Sequence, residues 1–279
     1  MTPYDSPQPP YYTPPRRIPI AVVITVGVVI ALVVTLVAGA AGVYVNRARS
    51  SGHRAQSSAT PTPTLGAASG TLVFTDDFHD SASGWPTGSL ASGSSFEYSG
   101  GAYVAHAVGD LHHTAAAPYS APFPRLSTSV TATQSTDAPL GAGFGVICVQ
   151  GSGQQELRYE LLIELGPEYY VEMRRGQLSI TTAPVVLKQG TSSASPGSTP
   201  VTVVGDCITA ADGKSTRLVL FVDGTMEADV TDPTPAPATG WASEIVISSR
   251  SARPSTVTVT RFEERDLSSL PGLFPTPGA

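Results

Sequence analysis

The chain has 279 residues, 41% of them hydrophobic and only 14% charged, with 27 glycines and 25 prolines. That length holds one sizeable domain plus accessory segments, and a Gly and Pro share above the average of ~12% favours strands, turns and linkers over helices. A formal net charge of -6, with Lys188 and Lys214 as the only lysines, excludes a nucleic-acid surface, because phosphate backbones would be repelled.

Residues 1–17 carry prolines at 3, 7, 9, 10, 14 and 15 and have no periodic apolar face, so they are expected to be a disordered, polyproline-like tail. Pro7-x-x-Pro10 and Pro9-Pro10-Tyr11-Tyr12 resemble ligands of proline-reading domains, but matches of this kind arise easily in so proline-dense a tail. From Ile18 to Val45 no residue is charged. As a helix this run is ~42 Å long at ~1.5 Å per residue, against a hydrocarbon core of ~30 Å. Eight Val, three Ile and two Leu between Ile20 and Ala38 contribute roughly -4 to -8 kcal/mol to insertion. The expectation is a retained transmembrane helix over 18–45, in contact with the lipid bilayer. The alternative is a cleaved signal peptide ending at Ala38-Gly39-Ala40, whose core would be about twice the usual ~7 to 15 residues.

The positive-inside count leans toward a carboxyl-terminal side that stays inside. Arg16 and Arg17 precede the run, whereas Arg47, Arg49 and Arg54 follow it. Long domains translocate largely regardless of charge, so the expectation is a cytoplasmic amino terminus and an extracellular carboxyl-terminal domain at the cell membrane. Residues 46–70 read as a Ser/Thr/Pro linker spanning ~25 to 30 Å as a flexible coil. Residues 267–279, LSSLPGLFPTPGA, mix Pro and Gly without a period and read as a frayed tail.

Residues 71–266 contain short apolar stretches broken by Gly, Pro, Ser and Asp, with no period of 3.6, so the domain is expected to be all β. Tyr159, Leu161, Ile163 and Leu165 alternate with Arg158, Glu160, Leu162 and Glu164, and Tyr169, Val171 and Met173 continue beyond Gly166-Pro167. This predicts a hairpin with one face in a core and the other wet. Asp223-Gly224 between apolar strands predicts a second hairpin whose turn needs positive φ. Further strands are expected at 71–75, 101–107, 126–134, 142–150, 177–182, 201–211, 244–249 and 255–263, which together imply a two-sheet sandwich.

The segments Leu72-Val73-Phe74-Thr75-Asp76-Asp77-Phe78 with Ser83-Gly84-Trp85, Gly145-Val146-Ile147-Cys148, Arg158-Tyr159-Glu160-Leu161, Gly205-Asp206-Cys207 and Leu218-x-Leu220-Phe221-Val222-Asp223-Gly224 follow one another along this domain. In these segments the chain resembles bacterial membrane-anchored concanavalin A-like, laminin G-like jelly-roll ectodomains, a group with relatives of the 3-keto-disaccharide hydrolase domain. The resemblance covers roughly residues 70–265 and rests on core and turn positions, so it implies a jelly-roll sandwich rather than an activity. Thr260-Arg261-Phe262-Glu263-Glu264 departs from the Phe-Asp-Asp-Phe-type closing strand usual there.

Two cysteines, Cys148 and Cys207, on two predicted strands of an exported domain read as one disulfide, with two buried thiols as the alternative. Glu160 and Glu164 stand ~13 Å apart by backbone rise, against the ~5 to 9.5 Å of paired glycosidase carboxylates. Where jelly-roll glycosidases interpose an Asp, this chain has Leu162. Glu156, Glu160 and Glu164 are therefore read as solvated sheet-face carboxylates, and His106, His112 and His113 as surface histidines, the last two on opposite faces of a strand. Asp76, Asp77 and Asp80 are the candidate oxygen ligands for a structural calcium ion, with turn and capping roles as the alternative. No other cofactor is expected. Exposed rings would serve a sugar ligand, and the candidates are Tyr170, Trp85 and Trp241, with core packing weighed against both tryptophans. No catalytic residue is assigned. The sequence favours a single-pass surface protein whose sandwich binds a glycan or envelope component. An extracytoplasmic hydrolase of sugar-related substrates comes second, and a structural or sensory membrane protein third.

Overall fold

The computed structural model describes residues 69–90, 92–119, 123–151, 156–175, 184–233, 240–270 and 272–273. The proline-rich segment, the 18–45 run and most of the 46–70 linker lie outside the described residues, as does the strand expected at 177–182. Among the described residues no helix is long and apolar enough to cross a membrane.

Among the described residues thirteen antiparallel strands follow one another: β1 (Thr71–Asp76), β2 (Gly88–Ser89), β3 (Ser95–Ser99), β4 (Ala102–Ala116), β5 (Arg125–Gln134), β6 (Gly143–Gln150), β7 (Leu157–Glu164), β8 (Glu168–Arg175), β9 (Val185–Thr191), β10 (Val201–Thr209), β11 (Thr216–Val222), β12 (Thr225–Asp232) and β13 (Ala242–Asp266). The ladders run in the order β12-β11-β10-β5-β13-β6-β7-β8-β9. β13 turns this path into two layers. Its second half pairs with β5, from Val257 opposite Gln134 to Asp266 opposite Leu126. Its first half pairs with β6, from Ala242 opposite Val149 to Ser248 opposite Gly143. β4 accompanies β13 along both halves, with a register shift between Ser251 and Ser255. The strands expected separately at 244–249 and 255–263 are thus one strand of 25 residues. The first sheet is β12-β11-β10-β5-β13, with β1 and β4-β3-β2 beyond, and the second is β13-β6-β7-β8-β9.

Period-two alternation places the core between the layers. Phe144, Val146 and Cys148 of β6 and Tyr159, Leu161 and Ile163 of β7 meet Val203 and Cys207 of β10 and Leu218, Leu220 and Val222 of β11. Each such side chain, taken wholly from water, contributes ~1.5 to 3 kcal/mol. Cys148 and Cys207 are bonded across this core, linking β6 of one sheet to β10 of the other. A separation of 59 residues corresponds to ~4 kcal/mol in the chain-entropy model. The sheets approach closely at Gly205, where an added Cβ would lie 2.6 Å from Cγ2 of Val146. Asp223 and Gly224 adopt φ of 48° and 79°, as the hairpin turn requires.

The described carboxyl-terminal residues, 267–270 and 272–273, are packed rather than frayed, and the rest of the expected tail lies outside the described residues. Leu267 and Leu273 are buried on the outer face of the first sheet, against Val204 and Ile208 of β10 and Val219 and Phe221 of β11, with Leu270 packed beside them. The backbone N–H of Leu267 donates to the Arg125 carbonyl at 3.0 Å, and Nη1 of Arg217 donates to the Leu273 carbonyl at 2.5 Å. Leucines without a period still dock where a sheet offers an apolar groove.

Candidate functional site

The chemistry of this protein gathers on the outer face of the second sheet, turned away from the disulfide. Register defines two rows across it. One row is Val246, Gly145, Leu162, Tyr170 and Gln189; the next is Glu244, Ile147, Glu160, Glu172 and Val186. Ile147, Val149, Leu162 and Val246 form an apolar cluster there, with Tyr170 and Ala242 packed against it. The β7 face expected to be wet is not: Arg158, Glu160, Leu162 and Glu164 are all buried. Alternation distinguishes the two faces of a strand, but it does not say what closes over the second.

Burial without pairing would be costly for these carboxylates, and each described one has a partner. Glu160, at 0% exposure, accepts from Nε of Arg174 through Oε1 at 2.7 Å. Its Oε2 meets Nδ1 of His112 at 2.5 Å. His112 comes from β4, which is separated from β7 by β13 and β6, so the pair is made across two intervening strands. Burial alone would raise the Glu160 carboxyl, but the hydrogen bond and charge of His112, and then Arg174, outweigh it and hold the group below the usual carboxylate range. Arg158 donates to both carboxylate oxygens of Glu244 at 2.8 and 2.9 Å, and its Nε donates to Glu156. Ser248 donates to Glu164 at 2.9 Å. Two of the three sequence-flagged glutamates are thus enclosed participants in a network rather than solvated charges. His112 belongs to the same network, whereas His113 faces away and pairs with Ser94 at 2.9 Å. His106 meets Thr256 at 3.0 Å.

The residues proposed from sequence to bind ligands or metal lie apart. Tyr170 is half-buried, and its hydroxyl donates to Glu168 at 2.5 Å. Trp85, at 4% exposure, donates to Asp76 at 2.9 Å and stands edge-on to Phe262 with centroids 4.8 Å apart. Trp241, at 0%, donates to the Pro124 carbonyl and to Oγ1 of Thr209 at 3.2 and 3.0 Å. Neither indole offers a face to a sugar, so both are corrected to core residues anchored through the indole N–H. Asp76, Asp77 and Asp80 also do not converge. Asp76 accepts from the Phe78 N–H at 2.7 Å, Asp77 from that of His79 at 3.2 Å and Asp80 from that of Ala82 at 2.9 Å, each two residues on. Among the described residues, the His and acidic side chains close enough to share an ion are His112, Glu160 and Glu172, whose ligand atoms all lie within 4.8 Å of one another. Sequence reasoning missed this trio, since no local motif links β4 to β7 and β8.

Asp206 and Glu264 are buried elsewhere in the fold. Asp206, on the outer face of the first sheet, is pushed up to about 7 by burial against the opposing effects of Ser127 and Arg217. Glu264, which accepts from Ser243, is likewise pushed up to about 7 by burial.

The sequence matches no protein-family model and none of the curated proteins. Solved structures are similar in fold. A protein from a study of endo-acting O-glycanases that human gut microbiota express to initiate mucin breakdown aligns with TM-score 0.50 and 12% identity, over 71% of this chain and 100% of that one. The Bacillus licheniformis β-glucanase aligns with TM-score 0.48 and 10% identity, over 70% and 98%. The potassium-bound carbohydrate recognition domain of Emp46p aligns with TM-score 0.47 and 12% identity, over 65% and 88%. The chain is an all-β sandwich whose fold neighbours include carbohydrate recognition domains and glycoside hydrolases.

Proposed function

We propose that this chain is a single-pass surface protein, anchored through residues 18–45 with its amino terminus inside, whose sandwich binds a glycan or another envelope component around Tyr170. The observation that carries the reading is the placement of that ring. Tyr170 is half-buried on an outer sheet face, between Leu162 and Gln189 in cross-strand register. An aromatic face beside an apolar patch, next to a carboxamide, suits a sugar with one apolar and one hydroxyl-bearing side. The fold neighbour from work on O-glycanases that initiate mucin breakdown supports the choice of ligand class. The uncharged run and a disulfide-bonded domain support the compartment.

A hydrolase is the second reading, because Glu160 and Glu164 share one face of β7. Glycosidases hold one of two carboxyls protonated near neutral pH, whereas Glu160 is held below its usual range by His112 and Arg174, and Glu164 is engaged by Ser248.

An array of envelope polysaccharides probed with the exported protein tests both readings. Tyr170→Ala should weaken retention by about 1 kcal/mol, the worth of an aromatic contact. Glu164→Gln should matter less, and turnover that Glu160→Gln or Glu164→Gln abolishes would favour hydrolysis instead. Protease added to intact cells should remove an epitope placed after Ala279 and spare one at the amino terminus. The reverse pattern would overturn the orientation.

A further inference from the structure

We propose that the carboxyl-terminal segment 267–273 is a strap that seats on the outer face of the first sheet while Asp206 is neutral and is released when that carboxyl ionises, with Arg217 as its latch. The inference concerns the sheet opposite Tyr170 and stands independently of the glycan reading. Asp206 lies on β10 midway between Val204 and Ile208, which belong to the apolar cluster that Leu267 and Leu273 complete. Period two therefore puts its side chain on the face that the strap covers. Asp206 is 2% exposed and shares a hydrogen bond with Ser127, its cross-strand neighbour on β5, whereas its Oδ2 has no hydrogen-bond partner among the described residues. A neutral carboxyl tolerates such a place far better than an ionised one, which must regain water or a cation. Burial accordingly holds the group up at about 7.

Arg217 connects this carboxyl to the strap. It stands opposite Ile208 on β11, diagonal to Asp206, and its charge acts on that carboxyl. Its Nε and Nη2 donate to the two carboxylate oxygens of Asp229 at 2.9 and 2.7 Å, and its Nη1 clasps the far end of the strap at the Leu273 carbonyl, 2.5 Å away. A carboxylate accepts from a guanidinium more strongly than a neutral carbonyl does, so an ionised Asp206 competes with Leu273 for Arg217. The strap, Leu-Ser-Ser-Leu-Pro-Gly-Leu, brings no titratable side chain of its own. Arg125 of β5 and Arg265 and Glu263 of β13 share this face, and the last two bond each other at 3.0 Å. Loss of the Asp206 proton thus puts a charge beneath an apolar cover and draws away the bond that holds the cover's end.

The test follows hydrogen exchange of the full chain in detergent micelles, expressed as protection factors so that the intrinsic pH dependence of amide exchange is removed. The Leu267 and Leu270 amides report the strap, since they donate to the Arg125 and Leu267 carbonyls at 3.0 Å. Their protection should fall about 10-fold per pH unit between about pH 5 and about pH 7, as release of one proton requires, and level off above that. Asp206→Asn should hold it constant. Strap exchange should also be nearly insensitive to low urea, whereas amides of β6 and β7, which open only on global unfolding, should depend on it steeply. Arg217→Gln should lower strap protection at about pH 5 by about 10-fold or more, the worth of a hydrogen bond to a charged group. Strap protection that ignores pH in the unmodified chain, a slope retained in Asp206→Asn, or a urea dependence equal to that of β6 and β7 would each overturn the strap. Unchanged protection in Arg217→Gln would overturn the latch. The pH slope and the urea dependence are both read on the unmodified chain, so they decide the matter even where a buried substitution fails to fold.

Discussion

The two sheets share one core yet finish their outer faces by opposite means. Over the first sheet the chain supplies its own cover: Leu267, Leu270 and Leu273 fill an apolar groove on β10 and β11. Over the second, the face is built from Arg158 with Glu156 and Glu244, Glu160 with His112 and Arg174, and Glu164 with Ser248, around a small apolar cluster. An apolar cover needs only shape and contributes through area removed from water. A buried ionic face contributes little net stability, since desolvation offsets much of the attraction, so charge of this kind has to be sought in recognition or chemistry. The difference directs attention to the second sheet as the working face.

The largest effect that would break this comparison is expected from Arg158→Ala, which strands the carboxylates of Glu156 and Glu244 in a buried setting. Denaturant unfolding should show a loss of about 4 kcal/mol, in the range for removing one partner of a buried pair. A loss below about 1 kcal/mol would mean that water reaches this face freely and that its ion pairs behave as surface ones. Next is Leu267→Ala, at about 3 kcal/mol for a large-to-small change in a closed groove. Hydrogen exchange should quicken in β10 and β11 while β6 and β7 stay protected. Uniform quickening would show that the cover belongs to the global core rather than to one sheet.

A last effect, read as a slope rather than a single loss, sharpens the contrast through pH. Asp206 sits beneath the first sheet's cover with its carboxyl raised to about 7, above the ~3.9 of an unfolded chain. Between those values the folded state binds more protons than the unfolded one, so this group's contribution is full below about pH 4 and is lost as pH rises through 7. Asp206→Asn removes that dependence. Thermal unfolding as a function of pH should flatten by up to ~1.4 kcal/mol per pH unit in this window. Glu264 has the same sign and leaves a residual slope. Glu160 has the opposite one: its lowered carboxyl contributes stability above the unfolded value that is lost as pH falls through the folded one. An unchanged profile in Asp206→Asn would mean that the Asp206 carboxyl is ionised in the folded chain.

Much of the fold was legible before any coordinates. Alternation in Tyr159, Leu161 and Ile163 assigned the inward face of β7, the Asp223-Gly224 pair marked a turn with positive φ, and two cysteines left one pairing. These are local properties, decided by side-chain period, backbone sterics and counting. β2 and β9 were not legible, for the one is two residues long and the other mainly exposed, and β3 offers only Phe96 and Tyr98 in alternation over five residues, too short a run to stand out. Nor could sequence show that 244–249 and 255–263 are one strand, because continuity across a bend is set by the partner, β4, that runs beside both halves.

The site depended on tertiary structure almost entirely. Tyr170 could be placed on the opposite face from Tyr169 by phase alone, but whether Trp85 and Trp241 stack on ligands or fill a core turned on what surrounds them. His112 lies 48 residues before Glu160 in the chain, yet their side chains meet. Period two says that the faces of a strand differ; only the packed sheet decides which residues sixty positions apart share a face, and whether the charges among them stand in water or must find one another.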